Sequence, residues 1–331
     1  MNKIICSFVY LLLHIHTAYA QTELFAYITN AAAPSHVSVC RIHPDTGQFE
    51  TCEPAYLENL SAPIGLALAT IDHTTYAYIS NNTYPNFVLR CRVNAEHLEG
   101  CGLTDVPSYT GIAIHKSDDH YAYLAYSDSV EKCRISAKGE LARHDCHDSG
   151  AGRIFANGPI FMRFLTLNQE NYVYIANGDY QPNASVTRCR VDAQGDFTAC
   201  KDSGAGASFN GAADIDFAFI AGKTYAYITE PTGVIKKCIL NDYTGLLNEC
   251  AATGKGFHAP LGLSIITLEN KLYAYVVDGG FRAPVANLVY HCKVDNSGDL
   301  DCGDSGVGPV FSNPFDIALL DRCAPGKCGF F

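Results

Sequence analysis

Short apolar segments alternate with polar, glycine-containing turns along the chain, and the same order of segments returns many times. A stretch led by Pro or Gly, as in 63–68, is followed about eleven residues later by an alternating aromatic segment, as in 76–79. Apolar residues at every second position are typical of strands that bury one face. Both segments therefore predict short β-strands.

A third segment surrounds a cysteine and has a β-branched residue three positions before it, as Val88 stands before Cys91. A turn containing glycine then leads into a last short segment that ends on a second cysteine, as in 195–200. Tyr, Ile and Val at period two favour strands. One unit therefore predicts four short strands separated by turns.

The spacing of these units indicates a repeat. Their first cysteines stand 51, 42, 56, 49 and 54 residues apart. A period near 50 residues in six copies is an internal repeat, and four-stranded units repeated in this way form a β-propeller. The mature chain starts at a second strand, 24–30, and its last apolar segment, 314–320, supplies the missing first strand. We predict an all-β fold, a six-bladed β-propeller of four-stranded blades, with the ring closed by pairing of the N- and C-terminal strands.

The first twenty residues have the pattern of a secretory signal peptide, with Lys3 before an apolar run at 4–13 and Ala18-Tyr19-Ala20 as a cleavage site. A membrane anchor is the alternative, but a run of about ten residues is too short to span a bilayer. We predict a signal peptide at 1–20, the propeller at 21–322 and a short disulfide-looped tail at 323–331. The protein is then secreted or periplasmic, without a membrane span.

Fourteen cysteines remain after cleavage, and they fall into pairs. In each unit the third and fourth strands form a hairpin, so the two cysteines of a pair face each other at disulfide distance. Metal binding is the alternative, but the spacings differ from those of zinc sites. The predicted disulfides are Cys40–Cys52, Cys91–Cys101, Cys133–Cys146, Cys189–Cys200, Cys238–Cys250, Cys292–Cys302 and Cys323–Cys328.

The charge of the chain narrows the range of partners. Asp and Glu number 34 against 23 Lys and Arg, a formal net charge of −11. Such a surface disfavours nucleic acid and anionic lipid. We therefore predict no nucleic-acid partner.

Several of these segments resemble a known group. They are Tyr27-Ile28-Thr29-Asn30, Val37-Ser38-Val39-Cys40, the Gly47 turn and the Pro-x-Gly-Leu-Ala-Leu strand at 63–68. They resemble the repeats of secreted bacterial propellers of the YVTN type, which are related to NHL-repeat and lactonase-like propellers. The resemblance covers nearly the whole mature chain. It implies a propeller blade but no particular reaction, because these groups include binding proteins as well as lactonases. The cysteine pairs are an addition to the usual pattern.

Equivalent positions of the six units suggest where a site lies. Small residues prevail where the first strands line the channel, and the charged departures are Arg163, Asp214, Asp216 and Asp316. The ends of the second strands, on the same rim, supply Glu230, Asp278, Asn30, Asn81 and Asn177. Converging carboxylate and amide oxygens suit Ca²⁺ or a similar ion, and the lactonase resemblance implies a metal that polarises a carbonyl there. Alternatively, the Asn residues serve turns and the Asp residues pair with Arg163.

A protease-like motif, Gly303-Asp304-Ser305-Gly306, is set aside because Asp148-Ser149-Gly150 and Asp202-Ser203-Gly204 occupy the same place in other units. A motif repeated at one turn is a turn. With no catalytic residue identified, we predict an exported binding or interaction module for a protein or glycan, since propeller rims present variable loops. A metal-dependent lactonase-like hydrolase with its site at the channel rim is the alternative, and a structural envelope protein is the third.

Overall fold

A computed structural model describes residues 23–83, 86–94, 96–107, 110–153, 155, 158–178, 182–204, 209–279, 287–308 and 310–322. The predicted signal peptide and the Cys323–Cys328 pair lie outside these residues. All regular elements of the described part are β-strands. In this part of the chain no helix has the length and apolar character needed to cross a membrane.

The strands follow from the alternating pattern of the sequence. In chain order they are β1 (Glu23–Asn30), β2 (His36–Ile42), β3 (Phe49–Ala55), β4 (Pro63–Ile71), β5 (Thr74–Asn81), β6 (Phe87–Asn94), β7 (His97–Pro107), β8 (Ile112–Lys116), β9 (His120–Ala125), β10 (Val130–Ile135), β11 (Leu141–Asp148), β12 (Pro159–Leu167), β13 (Glu170–Asn177), β14 (Pro182–Val191), β15 (Phe197–Asp202), β16 (Phe209–Asn210), β17 (Ile215–Ile220), β18 (Lys223–Glu230), β19 (Val234–Leu240), β20 (Leu247–Thr253), β21 (Pro260–Leu268), β22 (Lys271–Asp278), β23 (Leu288–Val294), β24 (Leu300–Asp304) and β25 (Pro314–Arg322).

The strands form six antiparallel sheets, which we number as blades in chain order. Blade 1 is β4 to β7, blade 2 is β8 to β11, blade 3 is β12 to β15, blade 4 is β17 to β20, blade 5 is β21 to β24, and blade 6 is β25 with β1, β2 and β3. The short strand β16 pairs with β14. In blade 6 the last strand pairs with the first, and Ile28 lies opposite Ile317. The six-bladed propeller and its predicted closure are therefore confirmed.

The first strand of each blade is innermost, and neighbouring first strands contact one another around a closed ring. Six apolar clusters fill the spaces between adjacent blades. Each cluster combines residues of two blades, so that burial of apolar area holds the ring together.

A tyrosine in the second strand of each blade is completely buried, and among the described residues the bond of its hydroxyl to the next blade is seen for five of them. There the hydroxyl donates to the carbonyl of a glycine in the turn between the third and fourth strands, as Tyr78 does to Gly139 at 2.8 Å. These glycines have positive φ, which glycine adopts without strain. The other pairs are Tyr123–Gly195, Tyr174–Gly245, Tyr227–Gly298 and Tyr275–Gly47.

Disulfides join the third and fourth strands of all six blades, as predicted from the cysteine spacing. The first cysteine of each pair is completely buried between blades. Each bridge therefore fixes the outermost strand of a blade to a strand of the packed interior. Loops this short stabilise the fold by roughly 2 to 3 kcal/mol each in the chain-entropy model.

Candidate functional site

Apolar side chains meet at the end of the channel where the first strands begin. An apolar plug lies there, formed by Ala31, Ala62, Ile64, Ile160, Phe161, Ala213, Leu261 and Phe315. Because five blades contribute to the plug at or just before their first strands, its members meet near the propeller axis. Exposure then rises along these strands: in β12, Met162 is buried, Arg163 is partly exposed and Thr166 is exposed. Solvent therefore reaches the channel from the end where the first strands finish, which we call the mouth.

Arg163 lies just below the plug and spans part of the channel. Its Nη2 donates to the carbonyl oxygen of Leu263 in blade 5 at 2.9 Å, although Arg163 belongs to blade 3. The guanidinium passes the carboxylates of blade 4, with Nη2 3.5 Å from Asp214 Oδ2 and Nε 4.0 Å from Asp216 Oδ1. Burial would lower the pKa of Arg163, but the nearby carboxylates raise it above its usual value. A permanent positive charge therefore stands among these carboxylates.

Asp214 and Asp316 occupy equivalent positions and make equivalent bonds between blades. One oxygen of each accepts from the following blade, from Leu263 N at 2.8 Å and from Leu66 N at 2.7 Å respectively. The other oxygen accepts from the next residue of its own strand. Both residues are at most 2% exposed. Each carboxylate thus bridges two first strands.

Three other blades have glycine at the same position, and there the first strands of neighbouring blades touch directly. A Cβ on Gly111 would lie 1.9 Å from the carbonyl oxygen of Ile160, and one on Gly262 would lie 2.7 Å from that of Phe315. Such distances exclude any side chain without movement of the backbone. A glycine at this position therefore marks a close contact between two first strands, whereas an aspartate marks a gap that its carboxylate bridges.

Asp216 is the carboxylate most open to the channel, with a side chain 20% exposed. It also bridges blades, since Oδ2 accepts from Ile265 N and Oδ1 from Phe217 N. Burial raises the pKa of all three channel carboxylates, to about 6 for Asp214 and about 7 for Asp316, while Arg163 opposes the rise. Asp214 further raises the pKa of Asp316. These groups are therefore poised to exchange protons nearer neutrality than ordinary carboxylates.

Three of the predicted rim residues hold loops. Asn81 Oδ1 accepts from Ser61 N, Asn30 Oδ1 from Ser312 N, and both oxygens of Asp278 from His258 N and Ala259 N. Each donor lies just before the first strand of the same blade. The other two contact the third strand of their blade, where Asn177 donates to Thr187 and Glu230 lies 3.5 Å from Lys236. The structure thus separates the predicted set into a channel group, Arg163, Asp214, Asp216 and Asp316, and a rim group of five residues, three of which hold loops.

The channel group offers little support for a bound Ca²⁺ ion. Every carboxylate oxygen of Asp214, Asp216 and Asp316 already accepts a backbone N–H, and the Arg163 guanidinium places one positive charge among the three carboxylates. Among the residues that the structure describes, no three His, Cys, Asp or Glu side chains are grouped so as to hold a metal. The predicted calcium therefore finds no support in the donor geometry.

Hydroxyl bridges close to this site were missed by the sequence reasoning. Thr229 Oγ1 accepts from Asp214 N and donates to Leu261 O in the next blade, and Thr29 does the same between Asp316 N and Ile64 O. Ser80 bonds Gly65 and Thr110 in the same manner. In the sequence these bridges were indicated by a Ser or Thr just before the last residue of the second strand, where the other blades have Ala or Val.

Solved structures with a similar fold include lactonases. The periplasmic gluconolactonase PpgL of Pseudomonas aeruginosa superposes with a TM-score of 0.62 at 13% identity, covering 90% of this chain and 99% of that one. A putative 6-phosphogluconolactonase of Bacteroides uniformis gives 0.60 at 14% identity, covering 91% and 100%. One from Bacteroides fragilis gives 0.59 at 13%, covering 90% and 98%. Neither protein-family models nor curated proteins match the sequence. At these identities the likeness shows the propeller fold alone.

Proposed function

We propose that the protein is an exported lactone hydrolase that acts at the inner end of its central channel. The observation that carries the proposal is the pairing of Arg163 with Asp216, whose side chains are 28% and 20% exposed in the channel just below the apolar plug. A fixed cation next to a carboxylate of raised pKa is a combination suited to acyl transfer. The fold shared with proteins described as gluconolactonases supports this choice of reaction.

Each residue has a defined role. The guanidinium of Arg163 donates to the carbonyl oxygen of the lactone and stabilises the negative charge that develops there. Its Nε–H is buried and has no acceptor in the described part of the chain, so a ligand oxygen would satisfy it. Asp216 orients a water molecule and accepts one of its protons as the water oxygen bonds to the carbonyl carbon. The ester C–O bond then breaks, the proton passes from Asp216 to the leaving oxygen, and a hydroxy acid results.

Export is part of the proposal. Six disulfides are typical of proteins that mature in an oxidising compartment, which agrees with the predicted signal peptide at 1–20. One of the similar structures is itself described as periplasmic.

The test is a proton-release assay of the purified protein on a panel of sugar lactones, corrected for spontaneous hydrolysis. Arg163→Gln and Asp216→Asn should each lower kcat/KM at least about 100-fold, as removal of a single oxyanion donor or base typically does. Arg190→Gln is the matched control, because Arg190 pairs with Glu170 on the exposed surface at 3.2 Å. Its activity should stay within about twofold of the wild type, since exposed ion pairs contribute little.

Melting curves separate a lost function from a lost fold. A folded Arg163→Gln protein that keeps wild-type activity would refute the proposed site, and wild-type protein that hydrolyses no lactone would refute the proposed reaction. Chelation of metals should leave the rate unchanged, because the proposal assigns polarisation of the carbonyl to the Arg163 guanidinium and not to a metal. A rate that depends on added metal would contradict the roles given to Arg163 and Asp216.

A binding or interaction module for a protein or glycan stays the second candidate. It is favoured by one observation, namely that backbone N–H groups already bond all the oxygens of Asp214, Asp216 and Asp316. Such carboxylates can shape a binding cavity without taking part in chemistry. Saturable binding of a sugar lactone without turnover would favour this function over hydrolysis.

A further inference from the structure

The inner end of the channel carries more negative than positive charge. One guanidinium, from Arg163, faces the carboxylates of Asp214, Asp216 and Asp316. Even when one proton is shared among the three carboxylates, the group remains negative. Since burial raises the pKa of two of them only to about 6 and about 7, the acids ionise fully at slightly alkaline pH.

The first strands supply no further cation at this depth. Among their described residues, the other Lys and Arg are Arg322, the last residue of β25, and Lys116, which is exposed at the end of β8. Asp321 lies at the equivalent position of β25 and has a pKa raised by burial. Lys116 and Arg322 lie five and six positions farther along their strands than the level of Asp214 and Asp316. Because each strand residue adds about 3.3 Å, these cations are too far away to compensate the carboxylates deeper in the channel.

The Arg163 guanidinium already has acceptors within the protein. Its Nη2 is held by the carbonyl oxygen of Leu263 at 2.9 Å and lies 3.5 Å from Asp214. An anionic ligand would have to displace these acceptors or stand close to three carboxylates in a partly desolvated channel, where like charges repel strongly. A neutral carbonyl oxygen can approach the guanidinium without either cost.

The mouth offers a surface suited to a neutral ring. Five of the six equivalent positions near the strand ends are polar, and they are Thr70, Lys116, Thr166, Thr267 and Asp321. The sixth is Phe219, whose ring is 69% exposed. An exposed aromatic face beside a channel can stack on the C–H face of a sugar ring.

From this charge balance we infer that the ligand of the channel carries no negative charge, and that phosphorylated or carboxylated sugars are excluded. The inference rests on the proposed function for its choice of a lactone, but its charge argument concerns binding. It assigns the protein a substrate class of neutral sugar lactones, in contrast to the phosphorylated substrate for which two of the similar structures are named.

The experiment compares gluconolactone with 6-phosphogluconolactone as substrates, and their lactam analogues as ligands in calorimetry. The neutral compound should have a kcat/KM and an affinity at least about tenfold higher, a difference that low salt should widen. Asp316→Asn and Asp216→Asn remove one negative charge each, so each should narrow the difference in lactam affinity. Asp301→Asn, on the outer strand β24, should leave it unchanged.

The outcomes distinguish the two proposals. Equal or tighter binding of the phosphorylated lactam would overturn the inference, whether or not either lactone is hydrolysed. Tighter binding of the neutral lactam without hydrolysis would refute the proposed reaction and support the inference. If neither lactam binds at millimolar concentration, the channel is not a sugar site, and both proposals fail.

Discussion

The carboxylate of Asp316 accepts a hydrogen bond from the backbone N–H of Leu66 at 2.7 Å, across a sequence separation of 250 residues. Asp316 belongs to the last strand of the chain and Leu66 to the first strand of blade 1. The bond therefore joins blade 6, in which the two chain regions pair, to the blade that follows it in the ring. Its counterpart between blades 4 and 5 is Asp214 to Leu263.

Replacement of Asp316 by alanine should destabilise the ring at this junction. The substitution leaves the buried N–H groups of Leu66 and Ile317 without acceptors, each at a cost of about 1 to 3 kcal/mol. The free energy of unfolding from urea titration should fall by at least 2 kcal/mol or so, whereas exposed Asp301→Ala should change it by less than about 0.5 kcal/mol. Equal stability of the two variants would show that the Asp316 bridge is dispensable.

Stability should also depend on His291, which is buried between blades 5 and 6 and is bonded to Gln48. Burial, followed by the charge of Lys293, lowers the pKa of His291 to about 4. The unfolded chain gains this proton near its ordinary value of about 6.5. The folded state is therefore destabilised as pH falls from about 6.5 to about 4, by up to roughly 3 kcal/mol.

Asp214 and Asp316 act in the opposite direction over much of this range. Their raised pKa values mean that the folded protein holds protons which the unfolded chain releases, so stability falls as pH rises toward 7. The informative quantity is thus the difference in unfolding free energy between the wild type and His291→Gln. As pH falls, the wild type should lose more stability than His291→Gln, because only the wild type carries the buried imidazole. A difference that stays constant from pH 7 to pH 4 would contradict this role of His291.

The tyrosine bonds between blades can be tested by removal of one hydroxyl. Tyr78→Phe keeps the buried ring but loses the bond to the carbonyl of Gly139, so it should cost about 1 kcal/mol. Tyr243→Phe is the control, because that side chain is 91% exposed. Thermal melts of both variants should place Tyr78→Phe below the wild type and Tyr243→Phe level with it. The reverse order would refute a structural role for this bond.

The cysteines should be oxidised throughout the mature protein. Six pairs are disulfides in the structure, and Cys323 with Cys328 stays a prediction from the sequence. Mass spectrometry after alkylation without reductant should find no modified cysteine among the twelve of the blades. Alkylation of Cys323 and Cys328 alone would contradict only the predicted tail loop.

Phe219 should contribute to substrate capture without supporting the fold. Because its ring is 69% exposed, Phe219→Ala should lower the melting temperature little. Loss of a stacking surface should raise KM for a neutral lactone about tenfold and leave kcat nearly unchanged. An unchanged KM would remove Phe219 from the substrate path.

The repeat made the architecture predictable, whereas the site depended on contacts between repeats. Alternating Tyr and Ile, as in 76–79, specify strands locally, and cysteines such as Cys91 and Cys101 mark one hairpin. By contrast, the sequence shows Asp214 and Gly262 as equivalent positions but not which backbone group of the next blade each one faces. One backbone donor to each channel carboxylate comes from the neighbouring blade. Only the closed ring shows these donors.

The central claim is that Arg163 and Asp216 form the ligand site at the inner end of the channel. A crystal structure of the protein with gluconolactam tests it most directly. The account predicts the lactam carbonyl oxygen within hydrogen-bond distance of the Arg163 guanidinium, with Asp216 beside the carbonyl carbon. A lactam bound on the outer edges of the blades or on the side of the plug away from Arg163, with the channel empty, would contradict it.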